Sequence, residues 1–150
     1  MLKQIYISPF GFLISVFMNL FSVLHRPFMV YGFFNKFRKK FNKYTRISST
    51  VTIIDRCKLD IDDHTWVWHH SILDASNGIK IGKGCQIGAW VGIFTHGSHL
   101  SIRLLGENYI HVAKEEGTGY QQGPVSLGEY CFIVANAVIM AGVTIGQGCL

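Results

Sequence analysis

Five histidines crowd the middle of the chain, at His64, His69, His70, His96 and His99. Imidazole exchanges protons near neutral pH and also ligates zinc, so proton transfer and metal binding are the two chemistries to weigh. His96 and His99 stand in the passage Phe94-Thr-His-Gly-Ser-His-Leu-Ser-Ile-Arg103, at the start of a stretch that runs to Pro124. Upstream, His69 and His70 close a segment containing Trp66 and Trp68, and Asp74 follows just before the turn Ser76-Asn77-Gly78. Four cysteines without a CxxC pair give no support to a zinc module or a thioredoxin-like redox site.

The elements that must position these groups are set by a six-residue spacing. Aliphatic residues recur at Ile47, Ile53 and Leu59, then at Ile81, Ile87 and Ile93, then at Leu127, Ile133, Ile139 and Ile145. Small residues often follow them (Gly82, Gly88, Gly128, Gly146). The position four further on is small or β-branched, and all four cysteines fall there: Cys57, Cys85, Cys131 and Cys149. That register makes the cysteines small buried hydrophobes, and reduced thiols favour the cytoplasm. Neither a helical period nor simple alternation produces a spacing of six. It is the signature of a parallel β-helix, in which each hexad forms one flat side and a turn. Two stretches interrupt it, Leu59 to Ile81 and His99 to Pro124; the second is long enough to expect a lid or substrate wall.

Charge divides the chain differently. Residues 1–54 carry eight basic residues and no acid, whereas the remainder carries six basic and nine acidic ones. A basic arm on a mildly acidic body argues against a nucleic-acid-binding protein. From Ile5 to Leu24 no residue is charged, which is long enough to span a bilayer, yet Pro9, Gly11, Asn19 and three serines dilute the run. Phe33, Phe34, Phe37 and Phe41 then recur among lysines at a spacing that predicts an interfacial helix. Residues 1–46 are therefore expected to form a helical apolar and basic arm making peripheral membrane contact. Residues 47–150 form the repeat domain, with a loop extruded at about 100–124. A secretory signal peptide is disfavoured, because only Lys3 supplies an N-terminal charge and no small-x-small cleavage site follows.

The repeat resembles that of the hexapeptide acyltransferase superfamily, and the passage ending at His99 resembles its sugar O-acetyltransferases. The resemblance implies an all-β fold, a left-handed parallel β-helix of hexapeptide repeats. It further implies a homotrimer with sites between subunits, and acetyl-CoA as co-substrate. In such enzymes a histidine before the extruded loop is the general base that removes a proton from a sugar hydroxyl. His99 lies within a residue of that position and His96 is the alternate. His69, Asp74 and Trp68 are the implied acceptor contacts, although relatives commonly carry Asn where His69 stands. Ala135, Asn136, Ala141 and Gly142 are the small turn residues along which the pantetheine arm would lie. No metal site is implied.

The expected function is thus an acetyl-CoA-dependent O-acetyltransferase acting on a sugar or polysaccharide-precursor hydroxyl, in the cytoplasm at the inner face of the membrane. Two other readings stand beside it. One is a non-catalytic scaffold, to which the stop at Leu150 lends weight, because full-length relatives usually continue through further coils and a cap. The other is a trimeric zinc enzyme resembling carbonic anhydrases, raised by His64-x4-His69 with His96 and His99.

Overall fold

The computed structural model describes residues 8–112 and 118–150. Within them the hexads become short strands that stack into three parallel sheets. Coil 1 comprises β2 (Lys40–Ser48), β3 (Thr52–Ile54) and β4 (Leu59–Ile61). Coil 2 comprises β5 (Trp66–Val67), β6 (Ile72–Asp74) and β7 (Ile79–Ile81). Coil 3 runs β8 (Gln86–Ile87) and β9 (Gly92–Phe94), then leaves the stack and re-enters at β12 (Val125–Leu127). Coil 4 comprises β13 (Phe132–Ile133), β14 (Val138–Ile139) and β15 (Thr144–Ile145). The first strands of each coil form sheet A, the second strands sheet B and the third strands sheet C.

Register follows the anchors. Ile47, Val67, Ile87 and Ile133 stack in sheet A, and Ile53, Leu73, Ile93 and Ile139 in sheet B. Ile61, Ile81, Leu127 and Ile145 stack in sheet C. Most of these are buried in one continuous core, each contributing about 1.5–3 kcal/mol of apolar burial. The span from Leu59 to Ile81 is therefore no break in the repeat. Val67 and Leu73 hold the register through it. The true anchor of coil 1 is Ile61, with Leu59 two residues ahead of it and also buried. What shifts the count is a two-residue expansion at the corner between sheets B and C. In coil 1 it is a 3-10 turn at Arg56–Lys58, and in coil 2 the turn before Ile79. Coil 3 inserts its long loop at the same corner.

Two different positions make the corners possible. The residue three after an anchor takes the left-handed conformation, with φ near +60° at His64, His70, Trp90, Tyr130 and Asn136, and glycine at 84, 142 and 148. The glycine directly after the anchor does something else. A Cβ on Gly82, Gly88 or Gly128 would stand 2.6–2.7 Å from the backbone of the next coil, so these glycines set how closely coils stack. At the corner between sheets C and A, one buried side chain per coil donates to the next coil's carbonyl. Thr45 reaches Asp62, Thr65 reaches Gly82, Cys85 reaches Gly128 and Cys131 reaches Gly146. Cys85 and Cys131 thus occupy the expected buried site, whereas Cys57 and Cys149 are exposed. Cys57 sits in the 3-10 turn that replaces a regular corner.

The arm is not one helix. Pro9–Leu24 forms α1, N-capped by Ser8, whose side chain accepts from the Gly11 N–H. The basic aromatic stretch instead folds as a hairpin of β1 (Met29–Asn35) and β2, with Phe34 opposite Phe41 and Asn35 opposite Lys40. The spacing of the phenylalanines belongs to two paired strands and their turn, not to a helix. Phe33 enters the core, and Asn35 and Asn42, both buried, donate to the Ile61 carbonyl at 2.9 and 2.6 Å. Asn35 also donates to Asp60, which pairs with Arg38. β2 belongs at once to the hairpin and to coil 1, so the arm caps one end of the column. Among the described residues no helix is long and apolar enough to cross a membrane. Ile5 to Ile7, the start of the uncharged run, lie outside those residues.

Candidate active site at an expanded corner

The expanded corners between sheets B and C lie one above another and gather polar groups from three coils. Asp74 ends β6 and is nearly buried. One of its carboxylate oxygens accepts from the Ser76 N–H and hydroxyl. The other stands 3.2 Å from His96 Nδ1, and the His96 side chain is 38% exposed. Thr95, fully buried, holds this pair in place. Its hydroxyl donates to the Asp74 carbonyl at 2.9 Å and accepts from the Asn77 N–H at 2.9 Å. The Asn77 side-chain amide returns to the Thr95 carbonyl at 3.1 Å. A carboxylate braced from both sides fixes the orientation of the imidazole it faces.

The loop stem closes the corner. β10 (His96–Gly97) pairs antiparallel with β11 (Gln121–Gln122), bringing Tyr120 to 6.2 Å from His96, ring centre to ring centre. Gly123 N–H donates to Thr95, and Gly142 N–H donates to Gly123. A Cβ on Gly123 would stand 3.1 Å from Gly142, while one on Gly142 would meet nothing within 4 Å. Ala141 and Gly142 of coil 4 therefore lie beside the loop stem and border open space.

His99 is placed differently. It opens α2 (His99–Leu105), is exposed, and makes no hydrogen bond or ion pair among the described residues. Its ring lies over Gly97. Residues 113–117 of the extruded loop, Gly117 included, lie outside the described residues.

The remaining candidates occupy another corner, between sheets A and B. His69 Nδ1 is 2.6 Å from the Ser48 hydroxyl, and its ring meets Trp68 edge-on at 5.6 Å. Trp68 stacks on Trp66 at 5.1 Å, and His70 stacks on Trp90 at 4.4 Å. Arg46 covers Trp66 at 5.3 Å. Ala135 and Asn136 continue this corner in coil 4, with the Asn136 N–H donating to Ala89. Within one chain, then, Asp74 and His96 come together with Ala141 and Gly142, and Trp68 and His69 come together with the Ala135 corner. Among the described residues no group of three His, Cys, Asp or Glu side chains is placed to hold a metal ion.

Sequence reasoning missed Thr95, Asn77 and Gly123 as partners of the site. The signal was available in the coil length. Ile47, Val67 and Ile87 are twenty apart, as are Ile53, Leu73 and Ile93. That interval sets Asp74 against Phe94 and so brings His96 to its corner.

Three parallel sheets wound from six-residue units, with one corner opened into a loop, define a hexapeptide-repeat β-helix. A family model described as the hexapeptide repeat of succinyl-transferase matches residues 124–150, the re-entry strand and coil 4. Over those residues the chain is similar to that family's repeat. No curated protein matches it significantly.

Proposed function

We propose that this protein is an acyl-CoA-dependent O-acyltransferase in which His96, held by Asp74, is the general base. The observation that carries the reading is the Asp74–His96 contact at the mouth of the extruded loop. With Asp74 accepting from Nδ1–H, Nε2 is left unprotonated, the form a base requires. The acceptor hydroxyl oxygen attacks the thioester carbonyl while its proton passes to Nε2. The tetrahedral intermediate then collapses, the carbon–sulfur bond breaks, and the departing thiolate takes the proton back as coenzyme A thiol. The open ground at Gly142 suits a thin pantetheine arm, because among the described residues nothing lies within 4 Å of a Cβ built there. Ala135 and Asn136, one corner away, would meet the coenzyme only further along coil 4.

Acetyl is the proposed acyl group and a sugar hydroxyl the proposed acceptor. Trp68 is 43% exposed and offers an apolar ring face to a sugar. Since Trp68 and His69 lie at a different corner from His96, they serve the acceptor only if another copy brings them across. A homotrimer with sites between subunits is the proposed arrangement that would do so. His99, exposed at the loop entrance, is left to contact the acceptor rather than to take its proton.

The test is coenzyme A release from acetyl-CoA with a panel of sugars and glycan precursors. Acceptor-dependent release that His96→Ala abolishes, with the trimer intact by ultracentrifugation, supports the reading. A folded protein that neither binds coenzyme A by calorimetry nor acetylates any acceptor is a scaffold.

A further inference from the structure

α1 leaves its apolar surface uncovered. Phe12, Phe17 and Leu20 are 60–69% exposed, and Phe10, Leu13, Val16, Met18, Phe21 and Val23 are exposed as well. A helix with this much bare apolar area needs a partner outside the chain. Its sixteen residues measure about 24 Å, short of a hydrocarbon core of about 30 Å. The helix is not apolar all round, however. Ser8, Ser15, Asn19 and Ser22 recur at intervals of seven, four and three, which is one face of a helix. Asn19 reaches Ser15, and Ser22 reaches the Asn19 carbonyl, so the stripe is internally bonded along its length. A narrow polar stripe opposite a broad apolar surface is the design of a helix lying in an interface plane.

The hairpin beside it supplies the charge. Only His25, Arg26 and Pro27 separate α1 from Phe28, which is pinned by paired hydrogen bonds with Ser49. Beyond it, Lys36, Lys39 and Lys40 are exposed and form no ion pair among the described residues. Lys43 is exposed too, leaning on Tyr44, and Phe34, Phe37 and Phe41 stand exposed among these lysines. Arg38 is excluded from the count, because Asp60 and Asp62 neutralise it, and Arg46 lies between the rings of Tyr31 and Trp66. No acid occurs anywhere in residues 1–54.

We infer that α1 and the β1–β2 hairpin dock the protein on the surface of an anionic phospholipid bilayer. The apolar side of α1 enters the headgroup and acyl boundary, and the hairpin lysines and phenylalanines sit at headgroup level. Charge complementarity selects this occupant over a second copy of the chain, since two basic arms repel each other. The inference does not depend on the acyl-transfer reading.

The test uses the full chain and sedimentation with vesicles of phosphatidylcholine, alone or with about a third phosphatidylglycerol. Expected are strong binding to the anionic vesicles, little to the neutral ones, and release by salt. Replacing Lys36, Lys39, Lys40 and Lys43 with glutamine should weaken binding about fivefold for each cation removed. Phe17→Asp with Phe21→Asp, on a helix that contributes no residue to the hydrophobic core, should remove what salt leaves behind. A Phe17→Trp reporter should shift to the blue and be quenched by brominated lipid. Equal binding to neutral vesicles, no binding at all, or an α1-dependent oligomer that excludes vesicles overturns the inference.

Discussion

His96 Nδ1 lies 3.2 Å from an oxygen of Asp74, a residue twenty-two positions earlier that coil stacking brings to the same corner. His99, three residues on, faces no carboxylate among the described residues. If His96 is the base, His96→Ala lowers kcat by about 10²–10⁴, the usual worth of a positioned base. Asp74→Asn gives a similar loss with KM little changed, because it disturbs the imidazole and not the substrate. His99→Ala acts on the acceptor KM, leaving kcat within about tenfold. Steady-state kinetics on the three variants separates these outcomes.

Coil spacing makes a second expectation. Gly82→Ala and Gly88→Ala each push a methyl group to 2.6–2.7 Å from the next coil's backbone. Backbone cannot yield as a side-chain tip would, so each should cost about 1–3 kcal/mol as overpacking. Gly128→Ala should behave alike, since its methyl group would meet the Gln147 backbone at 2.6 Å. Thermal unfolding of the three variants should show comparable losses.

Asp63 predicts how stability responds to acid. Burial alone would raise its carboxyl, but the backbone N–H groups of His64 and Tyr44 and the Thr45 hydroxyl outweigh it and hold the group below the usual carboxylate range. A folded-state value below the unfolded one contributes stability that is present above the ordinary carboxylate range. That stability is lost as pH falls through the folded value. Asp63→Asn should therefore be less stable than the parent at neutral pH, with the gap closing in acid. Melting temperature measured against pH reads this directly.

Thiol reactivity checks the corner ladder. Cys57 and Cys149 are exposed, whereas Cys85 and Cys131 are buried and donate to carbonyls of the next coil. Burial also raises the Cys85 thiol, further suppressing the reactive thiolate. An aromatic disulfide reagent should titrate two thiols promptly in the folded protein and the other two only on unfolding.

The repeat is legible because a buried aliphatic every six residues is a demand of the core, and nine of the ten aliphatics read from the spacing are true anchors, Leu59 being the exception. Val67 and Leu73 are hidden from a linear spacing because two extra residues at one corner move the count, and nothing in that spacing distinguishes an expanded corner from a break. The hairpin looks helical in the sequence for a related reason. Phe34 and Phe41 face each other across a turn, yet seven residues apart they mimic one face of a helix. The histidine contacts depend on which coil lies above which, a fact that exists only once the coil length of twenty is known.

The hairpin cap also determines what cannot attach to that end of the column. β4 is the outermost strand of sheet C, and an outermost strand offers its carbonyls to any passing chain. Asn35 and Asn42 both spend their amides on the Ile61 carbonyl, and neither side chain is exposed to be displaced. Two such molecules brought head to head at this end would find that hydrogen-bonding group already occupied. The asparagine pair thus acts as a guard against fibre growth, written into the same residues that close the core.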